Sequence, residues 1–265
     1  MRQPGVYQTT RKDNSIYYRA SITFRGRHIS LGSYDAQEDA GNAYQTAQDI
    51  LINNCYEICD FARCSSLPLD KFVILVNFRD SGIYFKTPIY LYPHHFEYYL
   101  SKDCVLLFDR DDLFFYAGHK IMQRGNRLFY CDYGSQYGLL LRYGLKSYAV
   151  AGRDYRFVNG NAHDLRYANI QAINIYTGVQ KCLTDTTPRY KVSIHVNGNY
   201  QVGIYNDEET AAIAYNKAAD ILNRNGIPKQ YIRNYITSLS EQDYKTRYHE
   251  IEVSKRLYSV KPVNP

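Results

Sequence analysis

The chain has 265 residues, a formal net charge of +6 and a hydrophobic fraction of 45%. This length allows one large or two to three small domains, and the mild positive charge permits a nucleic-acid partner without requiring one. The longest apolar runs have the length of a strand, which excludes a membrane-spanning helix. MRQPGVYQTT at the N-terminus lacks the apolar region of a signal peptide, so we expect a cytoplasmic protein without a membrane partner.

The first fifty or so residues alternate apolar and polar side chains and then change to a helical period. Tyr18 to Phe24 has the pattern of a half-buried strand, and Arg25-Gly26-Arg27 that of a turn. Glu38 to Leu51, preceded by a cap at Asp35, has the alanine spacing of a helix. We predict that residues 1–54 form a first module of one sheet and one helix.

Residues 55–70 read as a linker that ends in Ser65-Ser66-Leu67-Pro68. Three cysteines follow the first module closely: Cys55, Cys59 and Cys64. A zinc site needs four ligands and usually a C-x2-C pair, which this spacing does not supply. We therefore favour buried structural thiols over a metal site, since unpaired Cys is among the most buried residue types. Disulfides are not expected in this compartment.

The middle of the chain, residues 71–174, reads as a separate α+β domain. Short apolar runs predict strands at Lys71–Val76, Ile89–Leu91, Val105–Phe108, Arg127–Cys131 and Lys146–Val150. Two polar runs, Asp109–Asp112 and His94-His95, precede amphipathic segments and are typical of helix starts. We interpret the aspartates as a solvated helix start, where the helix dipole favours negative charge, rather than as a metal site.

The pattern of the first module returns in residues 175–226. Tyr190 to Val196 alternates like a half-buried strand, and Asn197-Gly198-Asn199 is a hairpin signal. Asn206 is placed to cap a helix that Gly226 stops. Each copy opens with a Gly-Val pair, and four residues match at one constant offset, Gly32, Ala40, Tyr44 and Ala47 against Gly203, Ala211, Tyr215 and Ala218. This self-similarity indicates a duplicated module.

The last segment, residues 227–265, extends the second module. Tyr231 to Ile236 is expected to pack back on that module. Ser240 with Asp243 is a capping signal for a helix that reaches about Leu257, with Tyr244 on its apolar face. That face could meet the same chain or a second subunit.

The order of Gly-Val, strand, glycine, helix and Ala-Tyr, over roughly fifty residues in each module, resembles the DNA-binding domain of the Apetala-two/ethylene-response-factor (ERF) family and its bacterial and phage relatives. In that family the helix packs on one face of a three-stranded sheet, and the other face enters the major groove of DNA. The resemblance implies double-stranded DNA as the partner and no cofactor. Plant members carry several Arg and Trp residues on the DNA-facing side, whereas this chain has no Trp, so the plant target sequence is not implied.

The resemblance implies a DNA-facing set of polar, basic and aromatic residues in each module. In the first module the set is Tyr7, Thr9, Arg19, Ser21, Thr23, His28 and Ser30, and we expect the basic Arg11, Lys12, Arg25 and Arg27 to contact DNA as well. In the second module it is Gln180, Cys182, Lys191, Ser193, His195, Asn199 and Gln201, and we expect the basic Lys181 and Arg189 to contact DNA as well. Such side chains can contact phosphates and base edges. A solvated face of an antiparallel sheet would be the ordinary interpretation of either face taken alone.

Gly152 to Asn174 resembles the HNH (ββα-metal) nuclease core of homing endonucleases, which is often joined to an ERF-like module. The matching residues are Val158–Asn161 in the hairpin, Asp164 and Arg166, and the closing Asn169-Ile170. The resemblance would place the family's metal ligand and general base at Arg156 and Phe157. Arginine has no acceptor and phenylalanine cannot take a proton.

We therefore interpret the motif as a vestigial nuclease without catalytic or metal-binding residues, retained as Arg156, Phe157, Asn161, Asp164, Arg166 and Asn169. Leu165 also replaces an asparagine of the family pattern. An active metal-dependent HNH endonuclease, with His163 or His119 as the base, is the alternative from the enzyme class.

The predicted fold class is α+β, with two modules of a three-stranded antiparallel sheet and one helix flanking a central α+β domain that has a ββα-metal-like end. The predicted function is that of a non-catalytic double-stranded DNA-binding protein, a phage or mobile-element regulator derived from an HNH endonuclease. A second alternative is a phage-type inhibitor that binds a host nucleic-acid-processing (defence) complex.

Overall fold

The computed structural model describes residues 4–146, 148–183 and 187–262, and it has the α+β class that the sequence predicts. The chain divides into two compact units. The first comprises Met1–Leu139 with Asn159–Asn169, and the second comprises Leu140–Val158 with Ile170–Pro265.

The first unit begins with the predicted module. Its strands β1 (Val6–Thr10), β2 (Ile16–Phe24) and β3 (Arg27–Tyr34) form an antiparallel sheet in chain order. Helix α1 (Gln37–Leu51) covers one face of this sheet. The buried core between sheet and helix consists of small and branched residues, Ala20, Ile22, Ile29, Leu31, Ala40, Ala43, Ala47 and Ile50. Because the alanines carry only a methyl group, the helix lies close to the sheet.

The segment after the first module packs against it through a second helix. Helix α2 (Leu69–Ser81) replaces the strand predicted at Lys71–Val76, and its central residues Phe72 to Phe78 are all buried. An apolar run that is buried on every side carries no periodicity, so its pattern cannot distinguish a buried strand from a buried helix. Pro68 before the first turn and Gly82 in the left-handed region after the last bound the helix. No helix in the described part of the chain is both long and apolar enough to cross a bilayer.

The predicted linker is ordered around this helix. Residues Ile58–Arg63 form a 3-10 helix, and Cys64 and Leu67 are buried in the same core as α1 and α2. Cys55 and Cys59 are exposed. The expectation of buried thiols is therefore correct for Cys64 and wrong for the other two, because Cys55 precedes the 3-10 helix and Cys59 lies on its solvent-exposed side.

Two further antiparallel sheets complete the first unit. The elements are β4 (Ile89–Leu91), β5 (His95–Ser101), β6 (Cys104–Asp109), a 3-10 turn at Arg110–Asp112, α3 (Leu113–Gly118), β7 (Ile121–Arg124), β8 (Arg127–Asp132) and β9 (Ser135–Gly138). The strands predicted at Ile89–Leu91, Val105–Phe108 and Arg127–Cys131 are confirmed, as is the helix start at Asp109–Asp112. The helix start predicted at His94-His95 is wrong, because the aromatic residues that follow alternate in burial, with Phe96 and Tyr98 inside.

The second unit contains a short strand pair and the second module. Strands β10 (Tyr155–Phe157) and β11 (Ile170–Ala172) pair antiparallel. Strands β12 (Val179–Leu183), β13 (Pro188–His195) and β14 (Asn199–Tyr205) form a three-stranded sheet in chain order, packed against α4 (Glu208–Arg224). The strand predicted at Lys146–Val150 is not found at Lys146 or at residues 148–150, and Ser147 lies outside the described residues.

Both helix caps of the modules differ from the prediction by one residue. In the second module the cap is Asp207, whose carboxylate accepts a hydrogen bond from the Thr210 backbone at 2.7 Å, rather than Asn206. In the first module the cap position is Ala36, and the predicted Asp35 instead accepts a hydrogen bond from Arg11. A cap must be the last extended residue before the helix, and consecutive polar residues do not reveal which one that is.

The C-terminal extension covers the second module, so its partner is its own chain. Helix α5 (Glu241–Glu250) is capped by Ser240, as predicted, and ends seven residues before Leu257, with a 3-10 turn at Lys255–Ser259. Ile236, Ile251 and Leu257 are buried in one core with α4.

One close contact recurs in both modules where the first strand begins. Gly5 and Gly178 have φ angles of 70° and 73°, and their carbonyl groups accept hydrogen bonds of 2.9 Å from Ser21 and Ser193 respectively. A Cβ atom at Gly5 would overlap the ring of Tyr44, and one at Gly178 would overlap the ring of Tyr215. Each glycine therefore meets two requirements, a left-handed backbone and space for a tyrosine ring.

We predict that Gly5→Ala destabilises the first unit by about 2–5 kcal/mol, since it combines the left-handed backbone penalty with overpacking against Tyr44. Gly26→Ala is the matched control, because Gly26 has a similar φ of 73° but nothing within 4 Å of a Cβ atom. The control should cost only about 1–2 kcal/mol. Denaturant unfolding of both variants measures the difference. Equal destabilisation would show that the tyrosine contact contributes nothing.

Candidate nucleic-acid interface

The face of each sheet opposite its helix, here called the outer face, carries most of the predicted DNA-facing residues. In the first module the strand register aligns them in four rows, Tyr7–Arg19–Ser33, Thr9–Tyr17, Ser21–Ser30 and Thr23–His28. In the second module the equivalent rows are Gln180–Lys191–Ile204, Cys182–Arg189, Ser193–Gln201 and His195–Asn199. The two outer faces therefore have the same layout, row for row.

The shared register places a basic residue at the same position of each outer face. Arg19 and Lys191 both lie on the middle strand, between a polar or aromatic residue of the first strand and a residue of the third. Arg19 is exposed and Lys191 half-buried. Within the described residues, neither side chain has a hydrogen bond or an ion pair. Both cations are therefore available to a ligand.

The last row of each outer face is joined by a hydrogen bond. Thr23 Oγ1 and His28 Nδ1 are 3.4 Å apart, and His195 Nδ1 and Asn199 Oδ1 are 3.1 Å apart. These bonds orient polar side chains that can contact base edges or phosphates. Ser21, at 9% exposure, is the buried member of the predicted set.

Three predicted arginines of the first module have partners within the first unit. Arg11 donates to Asp35 at 2.7 Å, Arg25 donates to the Phe78 carbonyl at 3.2 Å, and Arg27 lies 4.8 Å from the centre of the Tyr84 ring. A ligand phosphate would have to compete with these contacts. The sequence carries no signal for the contacts of Arg25 and Arg27, because Phe78 lies in α2 and Tyr84 shortly after it, both beyond the first module.

One predicted residue of the second module faces the other way. Lys181 pairs with Tyr190 in the register, and Tyr190 packs against the helix-side core. Gln180 and Cys182, on either side of it, belong to the outer face. Lys181 therefore lies on the helix side of the sheet, since alternate residues of a strand point to opposite faces, and its contact with DNA stays a prediction. Arg189, opposite Cys182, is exposed.

In the strand pair of the HNH-like motif, the two positions that the resemblance assigns to a metal ligand and a base make ordinary side-chain contacts. Arg156 Nε donates to Gln171 Oε1 across the two strands at 2.7 Å, and the Phe157 ring packs edge-on against Tyr155. No helix follows between Ile170 and Leu183, a stretch described throughout. The two strands of the predicted ββα-like end are thus present. Its helix is not, since the chain passes directly from β11 into β12.

The loop between these strands, Asn159–Asn169, belongs to the first unit and is organised around Asp164. This carboxylate is 1% exposed and accepts hydrogen bonds from Arg166 Nε and Nη2, at 2.8 and 2.6 Å, and from Asn159 Nδ2 at 2.8 Å. The Arg166 guanidinium, more than any other group, lowers the pKa of Asp164. The ion pair of Asp164 and Arg166, here called the clamp, therefore stabilises the loop.

Asn169 uses its whole amide group within the same loop. Its Oδ1 accepts from the Asn159 backbone at 2.8 Å, and its Nδ2 donates to the carbonyls of Asn161 and Asp164 at 3.1 and 2.8 Å. Asn169 matches a metal-facing position of the HNH pattern, but here its amide group holds the loop closed. The loop docks on β6 through Leu107, which exchanges backbone hydrogen bonds with His163 and Leu165.

His163 and His119, the two histidines that an active endonuclease could use as its base, have different neighbours. His163 is exposed on this loop, with Nε2 4.0 Å from Cys104 Sγ. His119 stacks on Phe115, and its Nε2 lies 3.6 Å from Asp132. Nowhere in the described ranges do three or more His, Cys, Asp or Glu side chains gather in a way that could hold a metal ion.

Comparison of the chain with protein-family models, with curated proteins and with solved structures found no match. The likeness to ERF domains and to HNH nucleases therefore depends on the sequence motifs quoted above.

We predict that Asp164→Asn opens the loop, because the neutral amide cannot pair with Arg166. Loss of a charged hydrogen-bond pair of this kind costs about 1–3 kcal/mol, which corresponds to about 5- to 150-fold faster hydrogen exchange in the loop. The exposed Asp111→Asn is the control.

The same clamp predicts a pH dependence. The folded-state pKa of Asp164 is lowered, so its stabilising contribution is complete above the unfolded pKa of about 4 and is lost as the pH falls through the folded value. Hydrogen exchange of the loop should accelerate on acidification in the wild type, after correction for the intrinsic rate, and should change less in Asp164→Asn. An equal pH response in both proteins would contradict the clamp.

Proposed function

We propose that this protein binds double-stranded DNA through the outer faces of its two modules and catalyses no reaction on it. The observation that carries the proposal is the equivalent position of Arg19 and Lys191 in two sheets of identical register. A cation that has no partner among the described residues, on a face that also carries hydroxyl, amide and imidazole groups, suits a phosphate backbone with base edges nearby.

The duplication supports the proposal on energetic grounds. Each outer face offers few cations, and the second has the exposed Ile204 where the first has Ser33. A single face of this kind would bind weakly. Two covalently joined faces raise the effective concentration of the second binding event, so that modest faces can give useful affinity.

The non-catalytic part of the proposal is supported by the contacts of the HNH-like motif. Arg156 pairs with Gln171, Phe157 packs on Tyr155, and the Asn169 amide is used within its loop. None of these groups offers a general base or an available metal-ligating oxygen. We propose a phage or mobile-element regulator that descends from an HNH endonuclease, located in the cytoplasm.

We predict that Arg19→Ala and Lys191→Ala each weaken binding to a random-sequence duplex. Each should reduce the slope of log affinity against log salt by about one, since each lost phosphate contact leaves one fewer counterion to release. Fluorescence anisotropy at several salt concentrations measures both quantities. Lys102→Ala and Lys255→Ala are the controls, because both lysines are exposed and lie outside the module sheets.

Unchanged affinity in both outer-face variants would contradict the proposal. A cleavage assay with magnesium or manganese separates it from the alternatives. A metal-dependent cut would favour the active endonuclease. Tight capture of a nucleic-acid-processing complex by a protein without duplex affinity would favour the inhibitor.

A further inference from the structure

A cleft in the second unit lies at the edge of the second module, and part of its lining comes from residues 146–174, which precede that module. Its volume is about 240 Å³, and its lining includes Lys146, Arg153, Asp154 and Thr177 together with Gln180 and Ser193. Gln180 and Ser193 belong to two adjacent rows of the outer face. The cleft is therefore continuous with the proposed DNA-binding surface.

The charges in this cleft leave one cation unneutralised. Arg153 donates to the Asp154 carboxylate through Nε and Nη2 at 3.0 and 2.6 Å, so these two charges balance each other. Lys146 donates to the Thr177 hydroxyl at 2.7 Å, which uses one of its three N–H groups. A neutral partner satisfies a hydrogen bond but leaves the charge for an anion.

The environment of Lys146 is unfavourable for that charge in the absence of a ligand. Burial lowers the pKa of Lys146 to about 8, although the nearby Asp154 acts in the opposite direction. Arg153, Tyr148 and Tyr176 also line the cleft around it. An anion beside the ammonium group would restore the ordinary preference for the protonated form.

The walls of the cleft are held in place by buried asparagines. Asn234 accepts from the Thr177 backbone N–H at 2.6 Å and donates to the Thr177 carbonyl at 3.0 Å. Asn174 donates to the Arg153 carbonyl at 2.6 Å and accepts from the Lys181 backbone at 2.8 Å. Thr177, which accepts the hydrogen bond of Lys146, and the Arg153 backbone are thus fixed in position. A site held in this way loses little conformational entropy when a ligand binds.

We propose that this cleft binds a backbone phosphate of the DNA that lies on the outer face of the second module, with Lys146 as the charged donor and Gln180 and Ser193 as neutral donors. This inference rests on the proposed function. The chemistry it requires is that of any phosphate group, so a free phosphate ion is the other possible source of the ligand.

The test compares the wild type, Lys146→Gln and Lys146→Arg in the full chain, with Lys255→Gln as the control. Duplex affinity is measured by anisotropy across a range of salt, and inorganic phosphate binding by calorimetry. The glutamine side chain in Lys146→Gln keeps an N–H donor for the Thr177 hydroxyl but carries no charge. We expect Lys146→Gln to weaken duplex binding about five- to tenfold near 0.1 M salt and to reduce the salt slope by about one. Lys146→Arg should retain most of the affinity for the duplex, because it keeps the positive charge.

Two results would overturn the inference in different ways. If Lys191→Ala weakens duplex binding and Lys146→Gln does not, the outer face binds DNA and the cleft has no part in it. If the wild type binds inorganic phosphate through Lys146 but does not bind the duplex, the cleft takes a free anion and the proposed function fails as well. Thermal unfolding of Lys146→Gln confirms that any loss is not a loss of fold.

Discussion

The contact between a glycine and a tyrosine ring is the constraint on which both modules depend. Gly5 against Tyr44 and Gly178 against Tyr215 bring the start of the first strand onto the helix without a side chain between them. The same glycines accept the hydrogen bonds of Ser21 and Ser193, which sets the register of the first strand against the second. Because side chains alternate along a strand, fixing this register decides which residues face the helix and which form the outer face.

The proposed function follows from that register. Once Val6 and Val179 are turned inward, Tyr7 and Gln180 must turn outward, beside Arg19 and Lys191. The two faces then differ in chemistry while sharing one layout. The first is more basic at its edges, although Arg11, Arg25 and Arg27 are engaged within the protein. The second has the adjoining cleft with Lys146. Each face thus combines one central cation with a different set of neighbours.

The sequence predicted the parts of the fold that a local period determines. Both modules, their duplication and most strands of the middle segment follow from alternation and from alanine spacing. Helix α2 was missed because its buried run from Phe72 to Phe78 has no period to read, and only Pro68 and Gly82 marked its ends. Lys181 was expected to contact DNA on account of its charge, and the register places it on the helix side of the sheet, opposite Tyr190. The cleft was beyond prediction, since Lys146 bonds to Thr177, 31 positions away, and the buried Asn174 and Asn234 hold the walls over separations of 21 and 57 positions.

The most direct test of the account is hydroxyl-radical footprinting of the full chain with and without a random-sequence duplex. Tyr7 and Ile204, 59% and 53% exposed on the two outer faces, should lose reactivity when DNA binds. Phe114, Tyr133 and Tyr235, which are 95%, 100% and 88% exposed outside these faces, should keep theirs. Protection of Phe114, Tyr133 or Tyr235 with Tyr7 and Ile204 unchanged would contradict the assignment of the outer faces as the DNA-binding surface.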